Sequence, residues 1–126
     1  MRKEFSTSWK ASIKPSKQRK YRFAAPLHVK KSFMHSHLAK DLRKKFKKRA
    51  VSIRKGDKVK IMVGNFRKQE GRVERVDLKK TKVYVSGIEK TKKDGSKRFI
   101  PLDPSNLMII ELMTEDKKRQ SILERK

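Results

Sequence analysis

The sequence predicts a mainly β protein: a small five-stranded barrel with a basic N-terminal arm, short N-terminal helices and a C-terminal helix. Three observations carry that prediction. Apolar and polar residues alternate through residues 51–113. Turn residues recur there about every 8–12 positions. Before residue 51 the alternation is absent, and residues 1–50 hold 17 basic side chains against 2 acidic ones. Over the 126 residues, 38 Lys+Arg face 13 Asp+Glu, a formal net charge of +25. The hydrophobic share of 34% is low beside the roughly 45–50% usual with glycine included, so one small core with appendages is expected. Repulsion at this charge is severe without a polyanion, which points to nucleic acid and away from a neutral metabolite. The absence of cysteine excludes disulfides and Cys-based zinc sites and makes an intracellular protein the default expectation. No apolar run approaches the ~20 residues of a membrane span, and no apolar stretch of signal-peptide type follows the first charges.

Residues 1–25 show neither a helical nor a strand period and are expected to form an extended basic arm. Cations interleave with rings, as in Trp9-Lys10 and Arg19-Lys20-Tyr21-Arg22-Phe23. Such a segment suits folding onto RNA, with phosphates neutralised and rings stacked on unpaired bases. Residues 26–50 read as short basic helices. Pro26 opens the first, and Leu38, Leu42 and Phe46 recur at i, i+4 and i+8 in the second, with Ser36 as its N-cap.

The barrel follows. Val59, Ile61 and Val63 alternate with Lys58, Lys60 and Met62, as in a strand buried on one face. In residues 72–78, Val73 is out of phase with Val76 and Leu78, so a bulge or bend is expected at Glu74-Arg75. Val83 and Val85 point inward on the next strand. Asp94-Gly95 signals a hairpin turn. Residues 98–102 and 107–112 supply the last two strands, with a turn at Asp103-Pro104-Ser105-Asn106. From residue 114 a helical tail is expected, capped by Thr114 and closed by Arg125 and Lys126.

Gly56-Asp57-Lys58-Val59-Lys60-Ile61-Met62-Val63-Gly64, followed by Glu70-Gly71-Arg72-Val73-Glu74-Arg75-Val76, resembles a KOW motif, the signature of SH3-like barrels in ribosomal proteins and transcription factors. Ala25-Pro26-Leu27-His28-Val29-Lys30-Lys31, Leu38-Ala39-Lys40-Asp41-Leu42-Arg43, Val83-Tyr84-Val85-Ser86-Gly87-Ile88 and Pro104-Ser105-Asn106-Leu107 are similar to further blocks of one family, in order and at compatible spacing. That family is the universal large-ribosomal-subunit protein twenty-four, in its archaeal and eukaryotic branch. The resemblance implies a structural protein that binds large-subunit rRNA during assembly and lies near the polypeptide exit tunnel. It implies residence in the cytoplasm on the ribosome, with neighbouring large-subunit proteins and factors at the tunnel exit as further partners. Three positions depart from the family pattern. Lys68 replaces the middle glycine of the loop, Ala39 stands where relatives often have serine, and Asp103 where many have histidine. Should the Lys68 position require a positive φ, a lysine there costs about 1 kcal/mol or more.

The residues expected to contact rRNA are Lys14, Lys17, Arg19, Lys20 and Arg22 in the arm, His28, Lys30, Lys31 and Arg43 in the helical stretch, Arg67 and Lys68 in the barrel loop, and Ser105 and Asn106 in the last turn. Ser105 and Asn106 serve equally well as turn formers, and His28 as a packing residue. Three histidines without cysteine do not make a zinc set. With no nucleophile–base pair and no phosphate-cradling glycine loop, no catalysis, cofactor or small-molecule substrate is expected. Two rivals remain. A KOW-type elongation factor normally carries an additional α/β domain, for which these residues leave no room; a DNA-compacting protein explains the charge but not the loop spacing. Removing residues 1–25 is expected to weaken RNA affinity strongly and leave the β module folded, which circular dichroism of the truncated protein checks.

Overall fold

The computed structural model describes residues 4–125. Residues 1–3, the start of the expected arm, and Lys126, expected to close the last helix, lie outside the described residues. A 3-10 turn at Thr7–Ala11 leads into α1 (Pro15–Ala24) and α2 (Leu27–Phe33). There follow β1 (His35–Leu38), α3 (Lys40–Phe46), β2 (Ala50–Ser52), β3 (Lys58–Ile61), β4 (Glu70–Asp77) and β5 (Lys82–Val85). The chain ends with β6 (Glu89–Thr91), β7 (Lys97–Phe99), a 3-10 turn at Pro104–Asn106, β8 (Leu107–Glu111) and α4 (Lys117–Glu124).

The fold is mixed α/β, with about 33% helix and 29% strand, rather than mainly β. Six strands form one sheet in the order β2-β1-β8-β3-β4-β5, and β6-β7 stand apart as a two-stranded hairpin. The sheet is not closed into the expected five-stranded barrel. Two features explain the difference. β1, where a helix was expected, lies parallel to β8 through His37↔Met108 and Leu38↔Ile109, and continues the sheet outward to β2. The segment expected to provide the fourth barrel strand pairs instead with β6, and touches the sheet only through the Val83↔Leu102 bridge.

β1 follows the strand period. Ser36 and Leu38 are buried, and His35 is exposed. Ser36 therefore caps no helix; its hydroxyl donates to the Pro104 carbonyl at 2.8 Å. The helix that follows has Ala39 at its N-cap, with no side-chain bond, as an alanine dictates. Leu42 and Phe46 pack against the core from α3, whereas Leu38 belongs to the sheet. The core itself is built from Val59, Ile61, Val73, Val83, Val85, Leu107 and Ile109 on the sheet, joined by Met34, Val51, Ile53, Ile88 and Leu123. The bulge expected near Glu74-Arg75 is present as a register shift between Val73 and Arg75. Gly71 cannot take a side chain, because a Cβ there would stand 2.6 Å from the Ser86 carbonyl oxygen.

One buried ion pair ties the ends of this core together. Arg119, on α4, donates from both terminal nitrogens to the two oxygens of Asp57, each at 2.6 Å, and the side chains are 2% and 0% exposed. Asp57 also accepts the backbone N–H groups of Arg54 (2.9 Å) and Met113 (3.0 Å). Arg119 further donates to the carbonyls of Met113 and Ser52. The helix is capped by Asp116, not by Thr114: Asp116 accepts the Lys118 N–H at 2.8 Å and pairs with Arg54. Leu123, one turn beyond Arg119, completes the face that α4 buries.

Breaking a buried pair leaves the other charge stranded. Arg119→Ala is expected to cost about 3–5 kcal/mol and to lower the melting temperature by more than about 10 °C. Arg119→Lys, with a charge but no fork, should recover only part. A change under about 1 kcal/mol in urea unfolding would contradict the assignment of this pair as the main tie.

Candidate nucleic-acid interface

Residues 4–25 are not extended. Residues 15–24 are helical and fold back on the 3-10 turn. Pro15 occupies the first turn of α1, where its missing N–H costs nothing. The side-chain amide of Gln18 donates to the carbonyls of Lys10 and Ser12, both at 2.8 Å. Lys17 and Lys20 set their ammonium groups 5.0 and 4.9 Å from the centre of the Trp9 ring. The inner face of α1 is thus made of Lys17, Gln18 and Tyr21, which no hydrophobic period reveals. Of the rings expected to stack on bases, Tyr21 instead stacks on Phe5 at 5.4 Å and meets Phe33 of α2 edge-on at 5.9 Å.

The expected contact residues divide into three groups. Lys14, Arg19, Arg22, His28, Lys31, Arg67, Lys68 and Ser105 are exposed. Among the described residues none of these cations carries an ion pair; Lys20 does, with Glu4 at 3.1 Å. Lys17, half-buried, is engaged with Trp9. The third group is committed to bonds within the protein. Lys30 is buried, its ammonium donating to the Lys79 carbonyl at 2.9 Å, and this bond docks α2 on the β4–β5 turn. Arg43 donates through Nε to the Leu38 carbonyl at 2.7 Å. The backbone carbonyl of Asn106 accepts the Met62 N–H at 2.9 Å, which ties the last turn to the strand leading into the Arg67–Lys68 loop and leaves the half-buried side chain out of that bond.

Lys68 does adopt a positive φ of 73°, and its N–H donates to Ile61 at 2.9 Å. The loop keeps its shape at the strain a lysine imposes there and projects one more cation outward. Asp103, in place of the family histidine, accepts from Lys82 at 2.6 Å. Arg22 and Ser105 line one shallow cleft together with Phe33 and Thr81, which unites the N-terminal helix and the last turn on one face.

The cations of the β6–β7 hairpin are missing from the expected contact residues, although its turn is expected at Asp94-Gly95. Residues 91–99 are all exposed, and among the described residues Lys90, Lys92, Lys93 and Arg98 have no carboxylate partner. The signal was present as an Asp94-Gly95 turn between strands with almost no apolar residue. Such a hairpin has no core of its own to cover.

The family of ribosomal proteins described as L26 in eukaryotes, with its archaeal L24 counterpart, matches residues 12–126. The large ribosomal subunit protein uL24 of Methanosphaera stadtmanae is 46% identical over 115 residues, covering 91% of this chain and 98% of the relative. That of Methanothrix thermoacetophila is 45% identical over 114 residues, covering 90% and 98%.

The turn that receives Lys30 has its own titratable brace. Asp77 accepts the Lys80 backbone N–H at 3.1 Å. That bond, with the charges of Lys80 and Arg75, holds its carboxyl below the ordinary value against a partial opposing effect of burial. A depressed folded pKa adds stability above the unfolded pKa, and this is lost as pH falls through the folded value. Asp77→Asn should therefore lower the melting temperature at pH 7, and the difference from the unaltered protein should shrink below about pH 4.

Proposed function

The chain belongs to the family of eukaryotic L26 and archaeal L24 ribosomal proteins, and from that premise we propose that it binds large-subunit rRNA during assembly and lies near the polypeptide exit tunnel. As a member of this family it is a structural ribosomal protein and not an enzyme. The observation that carries the rRNA reading is the placement of the surplus charge. The core is lined by apolar side chains and one ion pair, while Arg19, Arg22, Lys31, Arg67, Lys68 and, on the hairpin, Lys90, Lys92, Lys93 and Arg98 face outward without carboxylate partners among the described residues. A folded polyanion neutralises such a surface and stabilises the protein by binding only its native state. Neighbouring large-subunit proteins and factors at the tunnel exit are further partners in this proposal.

Half-engaged lysines such as Lys17 and Lys20 remain able to meet phosphate at the rim of the Trp9 ring, since an exposed cation–π contact or ion pair is worth about 1 kcal/mol or less. Lys30 acts differently. Buried on the Lys79 carbonyl, it holds α2 and so positions the exposed cations of that helix rather than meeting phosphate itself, while Arg43 braces the β1–α3 junction through Nε and stays exposed.

Counterion release makes the proposal quantitative. With about 8–10 cations on phosphate, the log–log salt dependence of binding to purified large-subunit rRNA is expected to have a slope of about −6 to −9. A slope shallower than about −3 would mean that most of the charge is idle. The protein should also co-sediment with large subunits through a sucrose gradient at moderate salt, and its absence there would reject the assignment.

A further inference from the structure

We propose that the cleft between the β6–β7 hairpin and the outer face of β4 and β5 is a stacking site for unpaired RNA bases, an inference that rests on the rRNA reading above. The cleft, about 440 Å³, is lined by Glu74, Arg75, Tyr84, Lys97, Arg98 and Phe99. Two aromatic rings, two guanidinium groups and one ammonium face a single carboxylate, and no aliphatic side chain lines the wall. The rings are surrounded by cations, which suits an occupant that offers both a flat face and negative charge. A nucleobase finds flat π-faces and planar cations, the chemistry of sequence-tolerant single-strand binding.

The local geometry supports that occupant. The Arg75 guanidinium lies over the Tyr84 ring, 5.2 Å from its centre, which builds a ready-made layer on which a further plane can be placed. Arg75 is kept there by Asp77 at 3.6 Å. Lys97 is only loosely engaged, 3.9 Å from Glu89. Phe99 remains 36% exposed although it sits in a strand. With Arg98 it also lines a second cleft of about 440 Å³, beside Lys90, Lys92 and Pro101. Successive bases passing over the hairpin would therefore share one ring and one guanidinium between two adjoining clefts. The hairpin is rooted by the Ile100 N–H to the Ile88 carbonyl (3.2 Å) and by the Val83↔Leu102 bridge. Two strands alone are marginal in water, and stacking supplies a reason for this one to be kept.

The test uses the full chain with two labelled RNAs at one salt concentration: a single strand of roughly 12 nucleotides carrying 2-aminopurine, and a duplex of the same length. Phe99→Leu keeps apolar bulk and removes the ring. It should weaken single-strand binding about tenfold and abolish the quenching of 2-aminopurine, while duplex binding stays within about twofold. Phe99→Trp should restore both signals, which separates loss of the ring from loss of the fold. Unchanged single-strand affinity in Phe99→Leu, with rRNA binding intact, overturns the stacking site alone and leaves the hairpin to a protein neighbour. An equal loss on both RNAs, or no rescue by tryptophan, overturns it as well. Failure of the unaltered protein to bind large-subunit rRNA overturns the rRNA reading and this inference together.

Discussion

The architecture depends on a single buried charge pair between residues 62 positions apart. Asp57 sits at the start of β3, and its two oxygens hold the Arg119 fork, the Arg54 N–H and the Met113 N–H. Isolating a carboxylate from water is costly, and here each oxygen has two donors. Arg119 is nearly as well satisfied, with Nε its one nitrogen lacking a partner. The pair thereby joins three parts that a small hydrophobic core would hold weakly: the entry to the sheet, the exit from β8, and α4. It also explains how a chain of such high net charge can hide one guanidinium completely: that cation is matched by the only fully buried carboxylate among the described residues.

With the interior closed in this way, the remaining cations are pushed to the outside and repel one another. Several lie close to protein acceptors that immobilise them rather than neutralise them, as Lys30 does on Lys79 and Arg43 on Leu38. Fixing a helix by a lysine on a carbonyl directs the neighbouring free cations, Lys31 among them, toward a common partner with little further loss of side-chain entropy. The same principle operates in the N-terminal segment, where the Trp9 ring collects two ammonium groups. Preorganisation of this kind suits an anion that is itself folded and rigid.

Legibility in the sequence followed periodicity. The β3, β4, β5 and β8 positions, the bulge beside Arg75 and the turns at Gly95 and Pro104 were all readable, because alternation and turn chemistry are local. Lys68 was readable as a point of strain because one backbone conformation was at stake. What was hidden had in each case a non-local cause. Helix α1 buries Gln18 and Lys17 against backbone and ring, so its inner face is polar. β1 alternates in burial but not in hydropathy, because one of its two inward residues is Ser36, and Leu38 mimics the helical spacing of Leu42 and Phe46 while being buried by β8. The capping of α4 by Asp116 in place of Thr114 reflects the Arg54 partner, 62 residues away. On the candidate site, exposure separated Arg67 and Lys68 from Lys30, a difference that a charge count does not contain.

The position of β8 has a consequence for the order in which this protein is made. β8 is flanked by β1 on one side and β3 on the other, so residues 35–38 and 58–61 cannot join into one layer until residues 107–111 have been synthesised. Local hairpins form early, but β1 and β2 must wait through most of translation for their neighbour, and the Asp57 carboxylate waits longer still for Arg119. The nascent chain therefore passes through a stage in which its strand edges are bare and its cations unopposed. Topology of this kind folds slowly and is prone to misassociation while incomplete, which ties the safe production of the chain to how soon an escort or an anionic scaffold can receive it.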